Sequence, residues 1–252
     1  MKKLTSISSI LLCVLSMQVN ANMGAAQVQF NQTRFLFTEK QRTQSLEMTN
    51  MGNAKADCKL GFVHYNQQNG EGVIEVEKQQ AIAPASHLLR FSPRSVSIPK
   101  DRSQTARLVF RRRPNLQEGD YLSYIRMQCV QEAILGQQNA LAATVNFNIP
   151  VYVRIGDPKG SVKIESAHID KQSKVASIRV SREGSRAWVG SLTVTDSSGE
   201  EVARLKNVTL SQAVTFRDFK LPLKDISSNQ FIVTYQEDKE FGKAAINYNV
   251  KL

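Results

Sequence analysis

From residue 27 onward almost every segment of the chain alternates apolar and polar residues with a period of two, and none keeps a convincing helical period. Successive side chains of a strand point to opposite faces, so this pattern commits the chain to half-buried β-strands. Val28 and Phe30, Phe35 and Phe37, Leu46 and Met48, Leu60 and Phe62 with His64, and Leu108 and Phe110 are such series. Turn formers stand between them, as in Met51-Gly52-Asn53 and Asn69-Gly70-Glu71-Gly72, at the spacing of an all-β sandwich.

The longest clean alternation is Val145-Asn146-Phe147-Asn148-Ile149-Pro150-Val151-Tyr152-Val153-Arg154, and Ile155-Gly156-Asp157-Pro158-Lys159-Gly160 follows it as a bend. We place a domain boundary there. Seven more strand patterns follow, at 162–169, 176–181, 188–195, 202–205, 214–221, 231–235 and 244–250, with Asp196-Ser197-Ser198-Gly199 as a hairpin turn. About seven strands in each half suit two immunoglobulin-like β-sandwich domains. With 7% aromatic residues, their cores must rest on Val, Ile and Leu. Pro150 cannot donate to a β-ladder, so the strand around it is expected to lack a partner on one side for part of its length. An apolar edge of that kind invites aggregation unless it serves for strand addition.

The first residues read as a removable leader: Lys2-Lys3, an apolar run from Ile7 to Val19, and the small-x-small site Val19-Asn20-Ala21. The run is too short to span a bilayer, and Cys13 lies inside it. The expected divisions are 1–21 signal peptide, 22–155 first domain and 156–252 second domain, with no membrane insertion. Without Lys2 and Lys3 the formal charge falls from +11 to +9. Such a basic protein could meet nucleic acid, an anionic envelope surface or an acidic partner. The export signal and the lack of any nucleic-acid recognition motif argue against the first. Arg111-Arg112-Arg113, the densest basic run, is read as a solvated strand end.

Cys58 and Cys129 survive processing in a compartment where disulfides persist. No Cys-x-x-Cys accompanies them, and His64, His87 and His168 are scattered, so a structural bridge is favoured over a reactive thiol. No Gly-x-Ser-x-Gly, His-Glu-x-x-His, P-loop or metal-spaced cluster is present, so no catalysis, metal or cofactor is expected.

The stretch from Phe91 to Pro99 with Ser103-Gln104-Thr105-Ala106-Arg107-Leu108, Asp120-Tyr121-Leu122-Ser123-Tyr124-Ile125-Arg126, and Ile149-Pro150-Val151-Tyr152-Val153-Arg154 resemble the first domain of PapD-like periplasmic pilus chaperones. Asn31-Gln32-Thr33-Arg34 looks like that family's first strand. Together these cover most of residues 27–155 in the right order, while the second half matches only in length and strand rhythm. The resemblance implies a boomerang of two sandwiches with a cleft between them, pilus subunits and an outer-membrane usher as partners, and a periplasmic location. It implies a cleft arginine, matched by Arg34, and a lysine that together hold the subunit's C-terminal carboxylate. The lysine position falls on Pro150, and Arg90 is the candidate replacement, its plain alternative being a solvated arginine. It implies a salt bridge between Asp120 and Arg154 that sets the interdomain angle. The departure at Pro150 looks more like the archaic branch of these systems.

On this reading Leu141, Ala143, Val145 and Phe147 enter the groove of an unfinished subunit sandwich. The alternative is that they fill the protein's own core, and strand parity decides between the two. Cys58 opens one strand and Cys129 closes another, and the two are expected to be antiparallel neighbours. A dimer that caps the donor edge is a further expectation. A secreted two-domain binding module or adhesin is the serious rival, and a basic envelope-binding protein a third reading.

Overall fold

The computed structural model describes residues 27–131, 144–224 and 228–252. The expected leader and the donor positions Leu141 and Ala143 lie outside them.

The first half contains β1 (Val28–Phe30), β2 (Phe35–Phe37), β3 (Thr43–Asn50), β4 (Ala56–Gln67), β5 (Val73–Val76), β6 (Leu89–Ser92), β7 (Ser95–Ile98), β8 (Ser103–Phe110), β9 (Gly119–Gln131) and β10 (Thr144–Ile155). One sheet runs β1-β3-β8-β6 and the facing one β2-β10-β9-β4-β5, with β7 on β4. Inward positions of each alternation meet between the sheets: Phe35, Phe37, Leu46, Met48, Leu108, Phe110, Ile125 and Met127 are all buried there. Residues 31–34, expected as strand, instead carry the chain from one sheet to the other. That passage splits the first apolar series into β1, paired with β3, and β2, paired in parallel with β10.

The second half contains β11 (Gly160–Asp170), β12 (Val175–Gly184), β13 (Trp188–Asp196), β14 (Glu201–Leu210), β15 (Phe216–Pro222), β16 (Gln230–Glu237) and β17 (Ala245–Lys251). Its sheets are β11-β12-β15 and β14-β13-β16-β17. They enclose a separate core that includes Ile178, Val180, Leu192, Val194, Phe231 and Tyr235. The turn after β13 closes as its residues dictate: the Asp196 carbonyl accepts from Gly199 N at 3.0 Å, its carboxylate accepts from Ser198 N at 2.9 Å, and Gly199 takes φ +88, where a Cβ is unwelcome.

The halves meet through several contacts, an apolar one and a turn among them. Leu122 and Tyr152 of the first pack with Ala187, Val189 and Phe241 of the second, the Tyr152 and Phe241 rings edge to face at 4.9 Å. The β4–β5 turn reaches β15, where Asn69 accepts from Thr215 N at 2.9 Å and the Gly70 carbonyl from Asp218 N at 2.8 Å.

Candidate functional site

Strand β10 changes surroundings along its length. On one side β9 pairs with all of it, from Thr144 opposite Val130 to Ile155 opposite Gly119. On the other, β2 pairs only with Val151, Tyr152 and Val153. Among the described residues the edge from Thr144 to Pro150 has no strand partner there. Pro150, without an N–H, stands where the paired edge gives way to the open one.

The parity of this strand follows from its inner half. Ile149, Val151, Val153 and Ile155 belong to the first core, and Phe147 packs against it, meeting Phe30 edge to face at 4.9 Å. Val145 shares this face and is half-buried, whereas Thr144, Asn146 and Asn148 are exposed. The open edge therefore continues the sandwich's own apolar face beyond the point where β2 covers it.

Cys58 and Cys129 form a disulfide between directly opposed residues of β4 and β9. Cys129 is in turn opposite Val145, so the bridge ties β9, the strand that carries the open edge's partner residues, to β4 on its far side in the same sheet.

Arg34 directly precedes β2, whose pairing with β10 begins at Phe35 beside Val151, so the register carried back by one residue brings Arg34 toward Pro150. Its side chain is 16% exposed and pairs with Asp238, with Glu240 at 3.8 Å from Nε. It also donates to the Asn207 side chain. Asn207 reaches this position because β14 bulges: the register slips between Gly190–Val208 and Leu192–Leu205, and Asn207 takes φ +60, a conformation that asparagine tolerates better than most residues. Burial pushes up the phenol of Tyr152, which also feels the charge of Arg34, and that of Tyr124, which feels Arg217, to about 12.

Arg90 lies on β6, at the edge of the other sheet, and donates to the neighbouring Leu89 carbonyl at 2.7 Å. It borders a groove with Phe62, His64, Lys78 and Arg94, all of the first half. Arg34 and Arg90 share no partner. Arg126 and Arg217 are two further arginines with fixed partners. Arg126, opposite Asn148, is held by Glu75 at 2.7 Å. Arg217 donates to the Thr209 carbonyl at 3.3 Å, alongside Gln67 at 3.0 Å, and burial lowers its pKa. A signal for Arg217 was available: it takes an inward position of the alternation that continues through Phe219 and Leu221.

Asp120 and Arg154 form the expected ion pair. Both residues belong to the first half, directly opposite on β9 and β10, joined through Nε and Nη2 at 2.8 Å each. The ion pair does not cross the interface. What crosses are its spare valences: Arg154 Nη1 donates to the Phe241 carbonyl at 2.8 Å, and Asp120 accepts from Ala187 N at 2.8 Å. An almost completely buried carboxylate with this many donors is well matched to its surroundings.

Among the described residues no helix is long and apolar enough to cross a membrane, and no three His, Cys, Asp or Glu side chains are grouped to hold a metal. No family model and no curated protein sequence matches the chain. Solved structures do match in fold. The E. coli chaperone DraB is 14% identical at a TM-score of 0.52, over 91% of this chain and 99% of its own. The structure of the Salmonella enterica SafA pilin in complex with the SafB chaperone matches at 13% identity and 0.52, over 91% of this chain and 100% of the matched one. The pre-assembly complex of CsuC with the tip subunit CsuE, from archaic Csu pili of Acinetobacter baumannii, matches at 13% and 0.50, over 89% and 98%. The chain has the two-domain immunoglobulin-like fold of the chaperones that assemble pili by the chaperone–usher route.

Proposed function

We propose that this protein is a periplasmic chaperone that holds pilus subunits by lending them a strand and passes them to an outer-membrane usher. The observation that carries the reading is the outer half of β10, an edge with no partner from Thr144 to Pro150 among the described residues and an apolar face that runs on from the core. Val145 and Phe147 share the face of the protein's own core, Phe147 against Phe30, so a subunit sandwich lacking one strand would pair its open edge with this one and run its own core on from that face over Val145 and Phe147, with Leu141 and Ala143 ahead of them. Each fully buried side chain of this size contributes on the order of 1.5–3 kcal/mol, so a few outweigh a single ionic anchor. Arg34, near Pro150 where the open edge ends, would take the subunit's terminal carboxylate, and the Asp120–Arg154 cluster would hold the angle between domains. In the free protein a second copy would cover the same edge.

The test is co-expression with a subunit gene from the same locus. Val145→Ser together with Phe147→Ser should abolish subunit recovery while the chaperone itself accumulates normally. Undiminished recovery with the variant would remove the proposal.

A further inference from the structure

Arg34 is already satisfied before any partner arrives. Its guanidinium pairs with Asp238, donates to Asn207 and has Glu240 within 3.8 Å, all three from the second half of the chain. The three formal charges sum to minus one. An incoming carboxylate would therefore meet net repulsion if it simply joined the cluster, and a half-buried site magnifies such a repulsion relative to water. Burial raises the Glu240 carboxyl, with Arg34 opposing the rise and Asp238 adding to it, a sign of how crowded with acid the place is. The position is nevertheless in line with the open edge: β2 pairs with β10 in parallel from Phe35 beside Val151, so a strand laid along Thr144–Pro150 parallel to β10 would run end-on into β2 and bring its last residue toward Arg34.

Resting on the reading of this edge as a donor strand, we propose that Asp238 is a built-in occupant of the carboxylate site, so that a partner's chain end binds by exchange and Asp238 sets how strongly a free C-terminus is selected. Exchange keeps the half-buried guanidinium paired throughout, because one carboxylate leaves as another enters, and charge-assisted bonds to a carboxylate are the strong ones. It also loosens one tie between the domains, since Arg34–Asp238 and Arg34–Asn207 both cross the interface. The edge then makes first contact by backbone pairing and apolar burial, and the chain end is tested only once it lies beside Pro150.

The probe is an N-acetylated seven-residue peptide of alternating valine and threonine, made once with a free C-terminal carboxylate and once as the carboxamide, titrated into the purified protein. The native protein should distinguish the two poorly. Asp238→Asn should raise affinity for the carboxylate peptide about tenfold, the scale of one charge-assisted bond, and leave the amide unchanged. Glu240→Gln should act in the same direction and more weakly, and adding Arg34→Gln to Asp238→Asn should erase the gain. General loosening of the domains would move both peptides alike, so their ratio reads the site rather than the fold. A ratio in Asp238→Asn no higher than in the native protein, whether from equal affinities or from no binding by either peptide, overturns the exchange. The donor-strand reading fails on a different result, unchanged subunit recovery with the Val145 and Phe147 variant.

Discussion

The two halves of β10 share one sequence pattern and live in different surroundings. Residues 151–155 have β9 on one side and, through Val153, β2 on the other, and their odd side chains are sealed between two sheets. Residues 144–150 keep β9 but not β2, and their odd side chains grade from the buried Ile149 to the half-buried Val145. The same alternation thus makes core at one end and, among the described residues, an edge without a second strand partner at the other. What separates them is the three-residue reach of β2 and a proline at the border, not any change in hydrophobicity.

The contrast is broken most severely from the inner half. Val153→Asp places an unpaired carboxylate in a fully buried site, and its desolvation should consume much of a net stability of about 5–15 kcal/mol. Almost no soluble protein is expected in cell extracts; normal yield would show that the inner half is not the core strand described. Next in size is the bridge behind the outer half. Replacing Cys58 and Cys129 with alanine opens a 71-residue loop, with a loss of roughly 4 kcal/mol in the chain-entropy account. A lower urea midpoint is expected, and an unchanged midpoint would mean that the bridge adds nothing to the sheet. The smallest effect belongs to the open edge. Val145→Ser should cost about 1 kcal/mol or less, as for a half-buried residue, and backbone amides of residues 144–149 should exchange faster than those of residues 151–153. Equal protection across Pro150 would erase the distinction between the halves.

Much of the architecture was legible because an alternating pattern is written locally. All seven strand patterns of the second half became strands, and the turn at Asp196–Gly199 formed at its expected place. Where the phase of the pattern slips, the reading fell short. Strand β14 runs to Leu210 rather than stopping near Leu205, because the bulge at Asn207 adds a residue and shifts the apolar positions from Leu205 to Val208. That bulge also aims Asn207 at Arg34, a contact with no trace in local spacing. Residues 31–34 look like strand and serve as the crossing between sheets, since composition says little about which sheet a segment joins. Asp120 and Arg154 were rightly picked out together, but their pairing is across β9 and β10, and only their remaining hydrogen bonds reach the second domain.

By itself the sequence determined that this chain is built of strands, that they form two sandwiches, and that residues 145–154 make the most regular strand of all. Only the tertiary structure decided which face of that strand is shared with the core, where its edge lies open, and which acid meets Arg34. The reason is range: a period-two pattern says which residues lie on a common face, but strand neighbours and ion pairs such as Arg34–Asp238, 204 residues apart, exist only once distant segments have packed.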